Sequence, residues 1–164
     1  MNYNHLAYLE ALKNDWRYTI EGSGGYCPCC DRWGKISSFG LTETHAMALL
    51  WLSRAPNQDG WVDVPPIAPQ WLLRGKNYQS MSKWGLIEKG SRTRSETKSD
   101  GLWRVTEKGM RFIRGEIPMP CKAYIYNNEV EGWDENEVFF KELFGRKFDY
   151  ESVMSDDFRW ADIR

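Results

Sequence analysis

Three of the four cysteines fall within four residues, as Cys27, Cys29 and Cys30 in the string Tyr26-Cys-Pro-Cys-Cys-Asp-Arg-Trp-Gly-Lys35. A Cys-x-x-Cys pair in a turn that carries proline and glycine is the kind of knuckle in which backbone N–H groups point at metal-bound thiolates. Such a knuckle supplies two ligands, and structural zinc takes four. The chain has no second Cys-x-x-Cys. Completion of a zinc shell around Cys27 and Cys30 therefore falls to Cys29, Cys121, His45 or His5, or to two chains donating two thiolates each. The bland alternative is an unmetallated turn with buried thiols.

A second set of residues is suited to phosphate. The 164 residues carry 22 Lys and Arg against 23 Asp and Glu, so no global field holds this protein on a polyanion. The charge is segregated, however. Leu72 to Glu116 holds eleven basic residues and five acidic ones, and Glu129 to Arg164 holds five basic and eleven acidic. Within the basic stretch, Arg92, Arg94 and Lys98 occupy a polar loop, and Arg74 and Lys76 precede a short helical segment, Asn77 to Trp84. The spacing of Tyr78, Met81 and Trp84 turns those three inward and leaves Asn77, Gln79, Ser80, Ser82 and Lys83 outward, with amides suited to adenine edges. This is the pattern of a nucleic-acid binder, with phosphate contacts from the basic loop. The competing reading is a solvated charged face.

These groups need elements to hold them. Leu6, Leu9, Leu12 and Trp16 recur at helical steps and predict a short amphipathic helix over Tyr3 to Trp16. Glycines from Gly22 to Gly25 break it before the cysteine loop. Thr42 caps a core helix bearing Ala46, Leu49, Leu50 and Leu52, which ends before Pro56 and Gly60. Trp61 to Val64 alternates as a strand, Pro66 to Leu73 reads as one short helix, and Asn77 to Trp84 as another. Leu86 to Lys89 and Leu102 to Val105 are strands flanking the loop Gly90 to Gly101, and Thr106 caps a helix through Ile113. Beyond it, Ala123 to Tyr126 and Glu129 to Trp133 flank Asn127-Asn128, a pair suited to a tight hairpin turn. Asp134 and Glu137 resemble a capping box that starts a helix carrying Phe140, Leu143 and Phe144. Asp149 begins another helical turn, and the tail Ser155 to Arg164 is either loose or docked by Phe158, Trp160 and Ile163.

The element order from Thr42 to Arg114 resembles a winged helix-turn-helix domain. Trp84-Gly-Leu-Ile-Glu-Lys89 and Trp103-Arg-Val-Thr-Glu-Lys-Gly109 are similar to the flanks of the wing in the multiple-antibiotic-resistance-regulator and related repressor families. The pattern of cysteine loop, wing, Ala123 to Val130 and Gly145 to Glu151 also resembles a group of uncharacterised proteins of bacteriophages and mobile elements. Cys-Pro-x-Cys is similar to the glutaredoxin active site as well, but there it opens a helix, and Asp31 to Gly40 has no helical periodicity.

Hydrophobic residues at 41% and nine tryptophans supply a core and argue against disorder. The apolar run Ala46 to Leu52 is too short to cross a bilayer and the opening residues lack the pattern of a signal peptide, so a cytoplasmic protein without membrane contact is expected. With two histidines, no Ser/His/Asp order and no glycine-rich phosphate loop, no catalysis is expected, and Glu96-Thr-Lys98 has no supporting strand for a nuclease reading. Trp51, Trp61, Trp71, Trp84 and Trp103 all fall at apolar positions and are read as core. The expected fold is α+β: an N-terminal helix and zinc-knuckle-like cysteine loop over residues 1–41, a winged-helix domain over 42–116, a hairpin-helix extension over 117–154, and a tail. The expected function is non-catalytic DNA binding in a regulatory or accessory role, the alternative being capture of a host protein on the same scaffold. A homodimer is expected to form through the N-terminal helix and C-terminal segment, using Leu6, Leu9, Phe140 and Phe144.

Overall fold

The computed structural model describes residues 3–90 and 101–163. In chain order the elements are α1 (Tyr3–Glu21), β1 (Gly25–Tyr26), β2 (Trp33–Gly34), β3 (Ser37–Gly40), α2 (Glu43–Arg54), β4 (Val62–Asp63), α3 (Val64–Ile67), α4 (Gln70–Gly75), a 3₁₀ helix (Asn77–Trp84), β5 (Ile87–Lys89), β6 (Leu102–Val105), α5 (Glu107–Ile113), β7 (Met119–Pro120), β8 (Lys122–Tyr126), β9 (Glu129–Trp133), β10 (Glu137–Val138), a 3₁₀ turn (Phe140–Leu143), α6 (Tyr150–Met154) and a last 3₁₀ turn (Trp160–Asp162). Helices and antiparallel sheets are mixed, an α+β arrangement. None of the described helices is long and apolar enough to cross a membrane. The chain divides into two compact units, residues 1–39 with 122–134, and residues 40–121 with 135–164. This partition cuts across the expected consecutive segments, because the β8-β9 hairpin joins β3 in one sheet, ordered β3-β8-β9.

In the first unit, Leu12, Trp16 and Ile20 lie four residues apart on one face of α1, and Ile20 is buried. Residues 4–11 of α1 are solvent-exposed, Leu6 and Leu9 included. β1 and β2 pair antiparallel, Gly25 opposite Gly34 and Tyr26 opposite Trp33. A Cβ at Gly34 would lie 2.7 Å from the Trp16 ring, so only glycine lets that indole rest on the strand. β8 and β9 form the expected hairpin, in a sheet ordered β3-β8-β9. Asn127 and Asn128 both adopt positive φ, 50° and 66°, which this turn requires.

The second unit is built on α2, in which Ala46 through Leu52 are all buried, as befits a helix surrounded by its own domain. Its first residue, Glu43, is also buried, and its carboxylate accepts N–H bonds from Lys147 at 3.0 Å and Phe148 at 2.7 Å. The sheet order is β4-β6-β5, with Val62 opposite Trp103 and Ile87 opposite Val105. The helix expected over Pro66 to Leu73 is instead two, α3 and α4. Pro69 holds Ala68 in an extended conformation, ψ 143°, and the helical ladder cannot run through it. Thr106 caps α5 as expected, accepting from Gly109 N at 3.0 Å. Gly109 is obligatory, since a Cβ there would sit 2.2 Å from the Leu86 carbonyl oxygen.

The helix expected from Asp134 onward does not form. Glu137 and Val138 pair with Pro120 and Met119 as β10 and β7, and helical geometry begins only at Phe140, where the Glu142 carboxylate accepts from Phe139 N at 2.6 Å. Phe140 itself is 1% exposed, with Phe112, Phe144 and Tyr150 edge-on around it at 5.2 to 6.5 Å. It is core, and cannot serve the dimer surface expected of it. Asp149 caps α6, accepting from Ser152 N at 2.9 Å. The tail is docked: Phe158 meets Phe148 and Trp160, and Trp160 stacks on Trp71 at 6.3 Å.

Candidate functional site

Tyr78, Met81 and Trp84 are spaced by three, and in a 3₁₀ helix of three residues per turn they fall in one line. All three are buried. The short segment is therefore a 3₁₀ helix because its apolar residues keep that period, and at about 2.0 Å rise per residue its eight residues reach about 16 Å. The opposite side carries Asn77, Gln79 and Ser82, all exposed, with Ser80 and Lys83 half-buried. The Ser80 and Ser82 hydroxyls donate to the carbonyls of Asn77 and Gln79, at 2.7 and 2.8 Å, and hold the tight turns. Gln79 Nε2 lies 3.4 Å from the Tyr78 hydroxyl, a long separation that leaves most of the amide to solvent.

Cations flank both ends. Arg74 and the left-handed Lys76, φ 47°, stand exposed at the start, and the Lys108 stem lies against Gly85 at the end. Lys89 is exposed where β5 leads into the polar loop. Arg74, Lys76, Lys89 and Lys108 have no acidic partner among the described residues. The arginines of β6 and α5 are committed. Arg104 is paired with Glu88 and lies over the Trp61 ring at 4.3 Å, and Arg111 and Arg114 pair with Glu116, Arg114 reaching Glu107 as well. Hydrogen bonding from Arg114 holds the Glu116 carboxyl below its ordinary range. The cations available to a ligand are thus fewer than the eleven in the sequence, while the net excess is unchanged because Glu88, Glu107 and Glu116 are already among the five acids counted. Lys89 and Lys108 are among the available ones although the sequence does not single them out as site residues, and their place in the basic stretch is the one signal that could have found them. Arg92, Arg94 and Lys98 lie outside the described residues.

No protein family, curated protein or solved structure matches the chain.

His45, considered above as a zinc ligand, is engaged elsewhere. Its Nδ1 accepts from Thr42 N at 3.2 Å and lies 2.8 Å from the Thr42 hydroxyl, while Nε2 lies 3.1 Å from Ser80 Oγ. A backbone N–H can only donate, so the imidazole proton sits on Nε2 and is donated to Ser80, whose own proton goes to Asn77. Burial pushes the imidazole pKa down, and both nitrogens are occupied. The residue ties the start of α2 to the start of the 3₁₀ helix, and no sequence pattern announced that.

The cysteines sit on the loop that closes β1 and β2. Cys27 N donates to Arg32 O at 2.8 Å and Asp31 N to Cys27 O at 2.9 Å, with Asp31 at φ 56°. Hydrogen bonds from the backbone of Cys29, then of Cys30, hold the Cys27 thiol below its ordinary range, and burial opposes them. The chain leaves the loop as a strand, unlike a glutaredoxin site, which opens a helix. Cys29 and Cys30 are exposed. Among the described residues no three His, Cys, Asp or Glu side chains gather as a metal site. His5 lies eleven residues before Trp16 on α1, about 16 Å along the helix from the indole that borders the cysteines. Cys121 belongs to the second unit, where its backbone bonds Leu41 and Asn136.

Proposed function

We propose that the second unit is a winged helix-turn-helix module that binds duplex DNA in a non-catalytic, regulatory or accessory role. The observation that carries this reading is the sheet order β4-β6-β5. The helical segments lie between the first strand and the β5-β6 pair, whose connecting loop bears Arg92, Arg94 and Lys98. That is the winged-helix order of strand, helices, strand, wing, strand. Further support comes from Arg74, Lys76 and Lys108 at the two ends of the 3₁₀ helix and Lys89 at the base of the loop. Phosphate contacts from these cations position the protein, and Asn77, Gln79 and Ser82 present donors and acceptors to base edges. So short a helix predicts modest sequence discrimination and strong salt dependence.

The test is fluorescence anisotropy of labelled duplexes, titrated with folded protein from about 50 mM salt upward. Binding that weakens steeply with salt supports the reading, and no binding to any duplex at the lowest salt refutes it. A second reading, recognition of a host protein, is favoured by the exposed Leu6, Tyr8 and Leu9 on α1. The tail residues Phe158 and Trp160 lend it less support than expected, because both are packed on other aromatic rings.

A further inference from the structure

The cysteine loop has the geometry of half a metal site. A two-strand ladder fixes both ends of the loop, and Cys27 and Cys30 both line the cavity beside it. Tetrahedral zinc on two thiolates still needs two ligands. The first unit gathers no third ligand among its described residues, His45 is engaged at both nitrogens, and Cys121 belongs to the other unit.

The cavity beside the loop tells what the missing half is. It is lined by Cys27 and Cys30 together with Arg32 and Lys35, and by no carboxylate. A zinc ion on four thiolates carries a net charge of about −2, and such a centre is stabilised by nearby cations. Arg32 and Lys35 offset that charge, and a second thiolate pair supplies the two ligands the shell still lacks. The rim is apolar: Tyr26 and Trp33, 69% and 58% exposed, stand edge to face at 5.2 Å beside the cysteines. Large aromatic side chains left in solvent on the two strands that bound the loop suit burial against a partner surface. A second copy of this chain has the thiolate pair, the cations and the aromatic rim, and two copies related by a two-fold axis present them to each other as an isologous contact.

We propose that Cys27 and Cys30 of two copies bind one shared zinc ion on a two-fold axis, so that the metal joins the protein into a homodimer through its cysteine loops. Cys29 lies outside this shell. The inference rests on the first unit and does not depend on DNA binding by the second.

The experiment uses the full chain purified with a phosphine reductant and without chelator, free of nucleic acid. Zinc is measured by elemental analysis and mass by light scattering. The expected result is one zinc per two chains and a mass twice the 19.3 kDa of the chain. Chelation should give a zinc-free monomer, and zinc should restore the dimer. Cobalt in place of zinc should give the absorption of a tetrahedral four-thiolate centre, a readout that needs no variant to fold. Cys30→Ser should abolish metal binding and dimerisation together, and Cys29→Ser should leave both intact. Folded protein that binds no zinc overturns the proposal. One zinc per monomer overturns it in favour of a shell completed within the chain, and a dimer that survives chelation and Cys30→Ser shows that the copies join elsewhere.

Discussion

Replacing His45 with alanine removes the link between α2 and the 3₁₀ helix, and its effect can be worked from the hydrogen bonds described. The buried imidazole accepts one bond from Thr42 and gives one to Ser80. A net hydrogen bond is worth about 1 kcal/mol, and loss of a buried ring adds a cavity term. Thr42 is exposed, so water takes up its N–H and the penalty stays moderate. His45→Ala is expected to destabilise the second unit by about 2 to 3 kcal/mol at pH 7.5, measured by urea unfolding. The pH dependence is the sharper test. Because burial lowers the folded pKa below the ordinary 6.5, the unfolded chain binds the proton more readily. The stability owed to neutral His45 is complete above pH 6.5 and is lost as pH falls from there towards the folded value, by up to about 1.4 kcal/mol per unit. The wild type should therefore lose stability on acidification that the alanine variant has already lost, and the difference between the two should shrink below pH 6.5. A variant within about 0.5 kcal/mol of wild type, or an equal acid loss in both, would show that His45 does not hold the helix.

Three further outcomes are expected. Glu43→Gln replaces the carboxylate that accepts from Lys147 and Phe148 and should lower stability by about 2 kcal/mol, with faster hydrogen exchange at those two amides; unchanged exchange would refute the tether. Phe140→Ala should cost about 3 to 5 kcal/mol in denaturant unfolding, and a small loss with an altered oligomeric state would return Phe140 to a dimer surface. Neutralising Arg74, Lys76, Lys89 and Lys108 together should flatten the salt dependence of duplex binding by up to about 0.9 unit for each phosphate no longer neutralised, whereas Arg111→Gln with Arg114→Gln should change it little; the reverse order would contradict the division into committed and available cations.

Local chemistry is readable where one short segment decides the structure. Thr106 at its cap, Asn127-Asn128 at positive φ, and the inward line of Tyr78, Met81 and Trp84 all follow from residues within a turn of one another. The errors fall where distant segments compete. Asp134 and Glu137 make a plausible helix start, but Glu137 and Val138 pair with Pro120 and Met119 instead, and nothing between residues 134 and 144 encodes that ladder. Phe140 looks surplus in the sequence because the rings that enclose it come from α5 and α6 as well as from its own turn. The division of labour within the basic stretch is hidden for the same reason, since whether an arginine is available depends on a glutamate elsewhere in the fold. At the cysteine loop the pair of thiols is legible, but that Arg32 and Lys35 line one cavity with Cys27 and Cys30 is not.

The division of the chain into interleaved units bears on how the protein is made. The first unit is completed only by residues 122–134, and the second only by 135–164, so no fragment that ends before residue 134 contains a whole unit. During synthesis from the N-terminus, α1 and the cysteine loop must wait for the β8-β9 hairpin, while α2 must wait longer for the amides of Lys147 and Phe148. Each early helix is thus left with an uncovered face until late in translation. The same interleaving places the hairpin's two ends side by side, Asp134 N bonding Lys122 O at 3.0 Å next to the Cys121 N to Asn136 O bond at 2.9 Å. Removing residues 1–39, excising 122–134 and rejoining the cut ends across that short gap therefore leaves the second unit alone, which no single truncation can do.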